Sequence, residues 1–477
     1  MTIKKYEIVI DYIIRSIQTG NLGLNDYLPS VRALARTLDF STSTVFDAYC
    51  RLESQGVVVS KERRGFQIAN TADIPELITP ISDFQPPFPD IQISHYSRSK
   101  SHHNFVQLGA MVPPNIYFPS KDLGQCLARI GRTHSELINN YGMSTSAVNS
   151  IIPVENTTAE FMYRVLGITV PSTEICHTFG ATEGLSLALK TVTQRGDLVF
   201  VESPGFVGAY TMLHNMNLVP VEIDSLPPHG LNLSRMELLL DSGVRPTSII
   251  VTPDFQNPTG SIMPLENRQR LLQICRKYGI AVIEDNVLGA LRFDVRIPTL
   301  KELMPNDVIY VGSYSKIMAP GYGVGWVSGG KYADNIKLIR SLGASVLPIA
   351  NHMATAQYVE SRKSRANLKA LRAIYEKNSV LMADALEHCY PDGTQVFRPR
   401  GGQYIWTTLP PSISTTALFH QAQSMNILLA PGILFNRSGK YSNCMRFSYA
   451  QEMTQQVYDA IEVTGKLAKK QMTASDK

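Results

Sequence analysis

Ser313-Tyr314-Ser315-Lys316 follows the apolar run Asp307-Val308-Ile309-Tyr310-Val311-Gly312. A lysine leaving a strand end can be a surface charge, a phosphate anchor, or an amine kept for covalent chemistry with a carbonyl. Three other apolar runs end on different chemical types. Ile280–Glu284 stops on the carboxylate Asp285, and Ser248–Pro253 leads to Asn257, held before Pro258. Glu174–Phe179 leads to Gly180, Ala181 and Thr182 at a helix start, where free backbone amides and the positive dipole end suit a phosphate. Taken singly, each has an ordinary explanation: a serine-rich turn, a helix-capping aspartate, a turn built on Asn-Pro-Thr-Gly. Their order along one chain brings an amine, a carboxylate, an amide and a phosphate cradle to separate strand ends.

A cofactor that carries an aldehyde and a phosphate tail on a pyridine ring needs that set. The lysine forms a Schiff base with the aldehyde, and the carboxylate keeps the ring nitrogen protonated so that the ring draws electrons. The hydroxyls of Ser313 and Ser315 and the amides at Ala181 and Thr182 hold the phosphate.

The elements that must position these groups run from about residue 105 onward. Asp197–Glu202, Ser248–Pro253, Ile280–Asp285 and Asp307–Gly312 are short apolar runs rich in β-branched residues. They alternate with helical stretches such as Gly180–Val192 and Glu266–Gly279. This pattern predicts an α/β domain with a mainly parallel sheet covered on both faces, whose ligands bind at the carboxyl ends of the strands.

Bulk properties allow more than this one domain. The chain has 477 residues, 44% of them apolar, and a formal net charge of +5, too small for this length to name a partner. Its six cysteines are scattered, without a CxxC pair or histidines at metal-ligand spacing, so neither a disulfide framework nor a zinc site is expected. Reduced thiols and a cytoplasmic location are the expectation. Charges at Lys4, Lys5 and Glu7 precede no cleavable apolar core, and no segment is long and apolar enough to cross a bilayer.

Residues 1–70 read as a separate, mainly helical unit. Tyr6, Ile10, Ile13, Ile14 and Ile17 share one face of a first helix, which Gly20 ends. A second short helix opens after Pro29 and Ser30 and lines up Val31, Leu34, Ala35 and Leu38. A third starts at the cap Ser41, places Val45, Ala48, Tyr49 and Leu52 on one face and closes at Gly56. Two β-prone runs then flank Lys61–Gly65 as a basic hairpin. Two helices joined by a tight turn and followed by such a hairpin form a winged helix-turn-helix, which reads double-stranded DNA. Thr42, Ser43, Thr44 and Asp47 fall on the outer face of its recognition helix. Arg32, Lys61, Arg63 and Arg64 are the phosphate-contact candidates. Nine basic against seven acidic residues leave a solvated three-helix domain as the alternative on charge alone.

Residues 71–104 carry five prolines and no sustained period, and read as a linker to the domain at 105–477. The linker is long enough for domains to swap within a dimer.

Two resemblances sharpen these expectations. Leu28–Leu38, Ser41–Gly56 and Arg63–Phe66 together resemble the GntR-type DNA-binding domain over residues 3–69. The resemblance implies DNA-contacting roles for Ser30, Arg32, Ser41, Ser43, Thr44 and Gly65, to which the reading of the helix face and the hairpin adds Thr42 and Arg64. Thr42 stands where that family commonly has an arginine, so base preference does not carry over. The large domain resembles the fold type I pyridoxal 5'-phosphate enzymes of the aspartate aminotransferase class, with a small α+β C-terminal subdomain. Joined to the N-terminal unit, it resembles the MocR subgroup of GntR regulators. This implies Lys316 as the Schiff-base lysine, Asp285 as partner of the ring nitrogen and Asn257 as donor to the ring hydroxyl. It also implies Phe206 stacked on the ring and Arg446 as the clamp for a substrate carboxylate; the plainer readings are a core phenylalanine and a surface strand arginine.

The chain departs from the aminotransferase pattern at three places. Gly323 replaces an arginine expected at the phosphate, Leu288 replaces a tyrosine expected at the ring hydroxyl, and the segment after Tyr141 is unrecognisable. Loss of one charge-assisted bond weakens binding by roughly 1.5–3 kcal/mol, about one to two decades in affinity. The expected function is a transcription regulator that uses pyridoxal 5'-phosphate as ligand or sensor, with a small amino compound or a vitamin B6 form as effector and a homodimer as the working form. An aminotransferase with a DNA-binding appendage and a regulator with a cofactor-free dimerisation domain are the alternatives.

Overall fold

The computed structural model describes residues 5–18, 22, 24–38, 40–54, 57–61, 64–69, 105–109, 113–139, 154–294, 296–343, 347–437 and 439–475. The chain divides into two compact units, Met1–Phe84 and Gln85–Lys477. The expected linker, Gly20, Gly56, Arg63 and Tyr141 fall outside the described residues.

In the first unit α1 (Lys5–Gln18), α2 (Val31–Leu38) and α3 (Thr42–Ser54) precede the antiparallel hairpin of β1 (Val58–Lys61) and β2 (Gly65–Ile68). The face expected of α3 is the one that is buried: Val45, Ala48, Tyr49 and Leu52. On α1 the buried line is Val9, Ile13 and Ile17, with Tyr6, Ile10 and Ile14 packed at its edge. Ser30 and Ser41 cap the second and third helices, accepting from the backbone N–H of Ala33 and Thr44 at 3.2 Å each. The Tyr49 hydroxyl donates to Pro29 O at 2.7 Å and ties the turn to the core.

In the described residues of the large unit the first strand is β3 (Val106–Gln107), and an eight-stranded sheet organises the unit. In chain order its strands are β4 (Ile175–Phe179), β5 (Leu198–Ser203), β6 (Val219–Leu226), β7 (Gly230–Leu231), β8 (Ser248–Val251), β9 (Ala281–Asp285), β10 (Val308–Ser313) and β11 (Val324–Ser328). Their spatial order is β4-β11-β10-β9-β8-β5-β6-β7. Pairings from β10 through β9, β8 and β5 to β6 are parallel, while β11 is antiparallel to both neighbours and β7 is antiparallel to β6. The strands are buried on both faces, which is why they read as continuous apolar runs.

The helix Gly180–Val192 lies close on this sheet: a Cβ at Gly184 would meet Val311 at 2.9 Å. A second, antiparallel sheet takes the order β12 (Gln395–Val396), β13 (Tyr404–Thr408), β16 (Cys444–Ser448) and β15 (Ala430–Pro431), while β14 (Ile427–Leu428) pairs in parallel with β3. The long helix Arg362–Cys389 and the last helix, Gln455–Ser475, pack together beside this smaller part.

Candidate functional site

Parallel strands that end together deliver the candidate groups together. Lys316, Asp285, Asn257, Phe206, Ala181, Thr182, Ser313 and Ser315 all line one cavity of about 300 Å³. Thr252, Val287, Leu288, Gly323, Tyr404 and Phe179 complete much of its wall.

Lys316 is set by the turn after β10. Ser315 N–H donates to Ser313 Oγ at 3.1 Å, and Ser313 Oγ lies 3.0 Å from Ser315 Oγ and 3.2 Å from Val324 O. Tyr314 points the other way, its ring 4.6 Å from that of Trp326 and its hydroxyl 3.2 Å from Thr158 Oγ1. The core thus holds the turn by its tyrosine while the serines and the lysine face the cavity.

Asp285 ends β9 and is 7% exposed. Burial pushes its carboxyl up to about 6, against a backbone hydrogen bond at Val287 and the nearby Lys316 charge, which both lower it. Its Oδ1 is buried without a hydrogen-bond partner among the described residues. A buried, unsatisfied carboxylate oxygen in a cavity that also holds an amine fits a cationic ring N–H.

The cavity wall also offers neutral donors. Gly180 sits at φ +73° and starts the helix whose first turn contains Ala181 and Thr182. Glu183 Oε2 accepts from Phe179 N–H at 2.6 Å and fixes that helix start. Gly323 also lines the cavity here; a Cβ on it would meet nothing within 4 Å, although its φ of +64° strains any other residue. The donor set fits a phosphate held by hydroxyls and helix amides, with Lys316 the one cation among the described residues lining the cavity.

Phe206 caps the helix Val207–Asn215, and its ring lies where a Cβ at Gly208 would be, 2.4 Å from the nearest ring atom. Gly208 therefore lets the aromatic ring lie across the helix start, a role that sequence reading missed. Tyr404 was missed as well, because it comes from β13 in the smaller sheet, far along the chain from the other strand ends.

Arg446 is a buried residue of β16, 2% exposed, which removes the surface-strand reading. Its Nη1 donates to Asn257 Oδ1 at 2.9 Å and its Nη2 to Gly109 O at 2.8 Å. The guanidinium lies 4.5 Å from the Tyr404 ring centroid and 4.8 Å from that of Phe435. By taking Asn257 Oδ1, Arg446 fixes that amide so that its NH₂ remains the group for the cavity.

In the N-terminal unit Arg32, Thr42, Ser43, Lys61, Arg64 and Gly65 are exposed, and Thr44 is half-buried. Ser41 Oγ lies 2.9 Å from Ser43 Oγ and 2.8 Å from Thr44 Oγ1, so three candidate hydroxyls form one cluster at the start of α3. Gly65 at φ +95° turns the hairpin.

The fold and the cavity define a two-unit protein: a winged helix-turn-helix joined to a fold type I aminotransferase-like domain. Residues 138–463 match the family model for aminotransferase class I and II, and residues 5–68 match that for bacterial regulatory proteins of the gntR family. The chain belongs to the aminotransferase class I and II family and carries a GntR-type domain in front, the arrangement of the MocR subgroup.

Over 473 residues it is 28% identical to the protein named uncharacterized HTH-type transcriptional regulator YjiR of Escherichia coli, covering 97% of this chain and 98% of the relative. It is 29% identical over 369 residues to 2-aminoadipate transaminase of Thermus thermophilus, covering 76% and 89%. The crystal structure of the α-aminoadipate aminotransferase LysN from that organism, complexed with N-(5'-phosphopyridoxyl)-L-leucine, matches with a TM-score of 0.71 and 26% identity, covering 80% of this chain and 98% of the other. The chain is thus a GntR-type regulator fused to an aminotransferase-like domain, whose fold has pyridoxal 5'-phosphate as its cofactor.

Proposed function

We propose that the protein is a cytoplasmic, homodimeric transcription regulator that holds pyridoxal 5'-phosphate at Lys316 as a sensed ligand. The observation that carries this reading is the unsatisfied, buried Oδ1 of Asp285 in the same cavity as the Lys316 amine, with neutral donors at Ala181, Thr182, Ser313 and Ser315. When bound, the cofactor supplies an aldehyde that condenses with a primary amine and a ring that draws electrons and absorbs visible light.

The chain's own groups do the rest. With the cofactor bound, Asp285 would hold a proton on the ring nitrogen, the Asn257 NH₂ would serve the ring hydroxyl and Phe206 would pack on the ring. An effector with both an amine and a carboxylate matches Lys316 and Arg446, since a guanidinium takes a carboxylate as a bidentate partner. A carboxylate that takes Nη1 displaces Asn257 Oδ1 from it. That exchange couples occupancy of the cavity to a discrete rearrangement, the kind of two-state element through which a ligand can bias DNA affinity. The dimer rests on the family resemblance, since fold type I sites are generally completed by two chains.

The test is duplex binding by the full chain. With a DNA sequence selected by the protein, saturating pyridoxal 5'-phosphate is expected to change affinity at least about fivefold, and Lys316→Ala is expected to abolish the change. Affinity indifferent to both contradicts the sensing role.

A further inference from the structure

The recognition helix α3 presents few groups free to read a base. Its three charged side chains are engaged inside the unit. Asp47 Oδ2 accepts from Arg51 Nε at 3.2 Å, Arg51 lies 4.0 Å from the Tyr6 ring centroid, and Glu53 accepts from Ser60 N–H at 2.8 Å. The Ser43 and Thr44 hydroxyls are drawn into the capping cluster around Ser41.

Against this background Phe46 stands out. It lies one turn beyond Thr42 and Ser43 on the outer side of the helix and is 53% exposed. Its ring meets Phe66 of the hairpin edge-on, with centroids 6.3 Å apart and planes at 70°, so it is held rather than loose. The core does not need it there, because Val45, Ala48, Tyr49 and Leu52 already fill that side.

We propose that Phe46 reads thymine, through apolar contact with the C5-methyl group in the major groove. Thymine is the one base with an apolar group on its major-groove edge, and phenylalanine is among the side chains that contact it. Arginine or lysine would read guanine, and asparagine or glutamine would read adenine. The first two turns of α3 carry none of these: their outer side offers Thr42, Ser43, Thr44 and Phe46, with Asp47, which could read cytosine, engaged by Arg51. The inference rests on the DNA-binding reading and adds its base preference.

The experiment selects duplexes from a random pool with the full chain, then replaces each thymine of the selected site by deoxyuridine, which removes only the methyl group. Loss of one buried methyl is expected to weaken binding roughly three- to tenfold at one position. Phe46→Ala should bind indifferently to that replacement, while Phe46→Leu, which keeps an apolar contact, should retain part of the discrimination. Deoxyuridine tolerated throughout, or a penalty undiminished in Phe46→Ala, overturns the thymine reading and leaves DNA binding intact. Failure to enrich any sequence overturns both.

Discussion

In the N-terminal unit the groups offered to a ligand stand outside the core, whereas in the large unit they stand inside it. Among the described residues of the first unit no charged side chain is buried. The large unit buries Glu202, Glu284, Asp285, Arg268, Lys301 and Arg446. An exposed helix face keeps its charges solvated and binds a polyanion in a salt-dependent way. Strand ends inside a domain desolvate their charges, so that partners and protons decide their state. One unit should therefore respond to salt and the other to pH and to a ligand that satisfies what folding leaves unpaired.

Breaking the buried side has the largest expected effect. Arg268 is fully buried, donating to Met263 O, Pro298 O, Pro253 O and Asp254 Oδ1, while Asp254 Oδ2 accepts from Asn286 beside the cavity. Arg268→Ala should cost the large unit roughly 3–5 kcal/mol in denaturant unfolding, because it strands buried acceptors. A loss below about 1 kcal/mol contradicts that network.

Asp285→Asn sharpens the comparison through pH. The folded carboxyl titrates near 6 against an ordinary 3.8, so the folded chain holds the extra proton between these values and loses stability as pH rises through that window. Without cofactor, Asp285→Asn should therefore be more stable than the parent by up to about 3 kcal/mol at pH 7.5, with the advantage vanishing near pH 4. His177 and His352, pushed down to about 4 by burial, add an opposite loss as pH falls below 6.5. The difference between the two proteins cancels that contribution. A pH-independent difference contradicts the account. The same variant should also lose cofactor affinity, since an amide does not hold a ring proton.

The smallest expected effect lies on the exposed side. Ser41→Ala removes the α3 cap and should cost the N-terminal unit about 1 kcal/mol in thermal unfolding. Pyridoxal 5'-phosphate binding should be unchanged. A changed cofactor affinity would show that the two units are not separable in this respect.

What the sequence revealed follows the same division. The faces of α2 and α3, the caps Ser30 and Ser41 and the hairpin were legible because helical period and capping are local. The strand ends were legible because runs buried on both faces read as continuous apolar stretches, and each stops on a distinct chemical type. Tyr404, the Gly208 clearance for Phe206 and the bond from Arg446 to Asn257 were not legible. Each depends on contact between segments that only the folded sheet brings together; Arg446 and Asn257 lie 189 residues apart. The exposed position of Phe46 was masked because its helix was read for its polar face.

The claim on which the rest depends is that the Lys316 amine is the bonding partner of the cofactor aldehyde. Titration of the full chain with pyridoxal 5'-phosphate, followed by borohydride reduction and peptide mapping, tests it directly. The expected result is a new visible absorption band at one equivalent per chain and a phosphopyridoxyl mass on the peptide containing Lys316, both lost in Lys316→Ala. An identical titration by that variant, or label confined to other lysines, contradicts it.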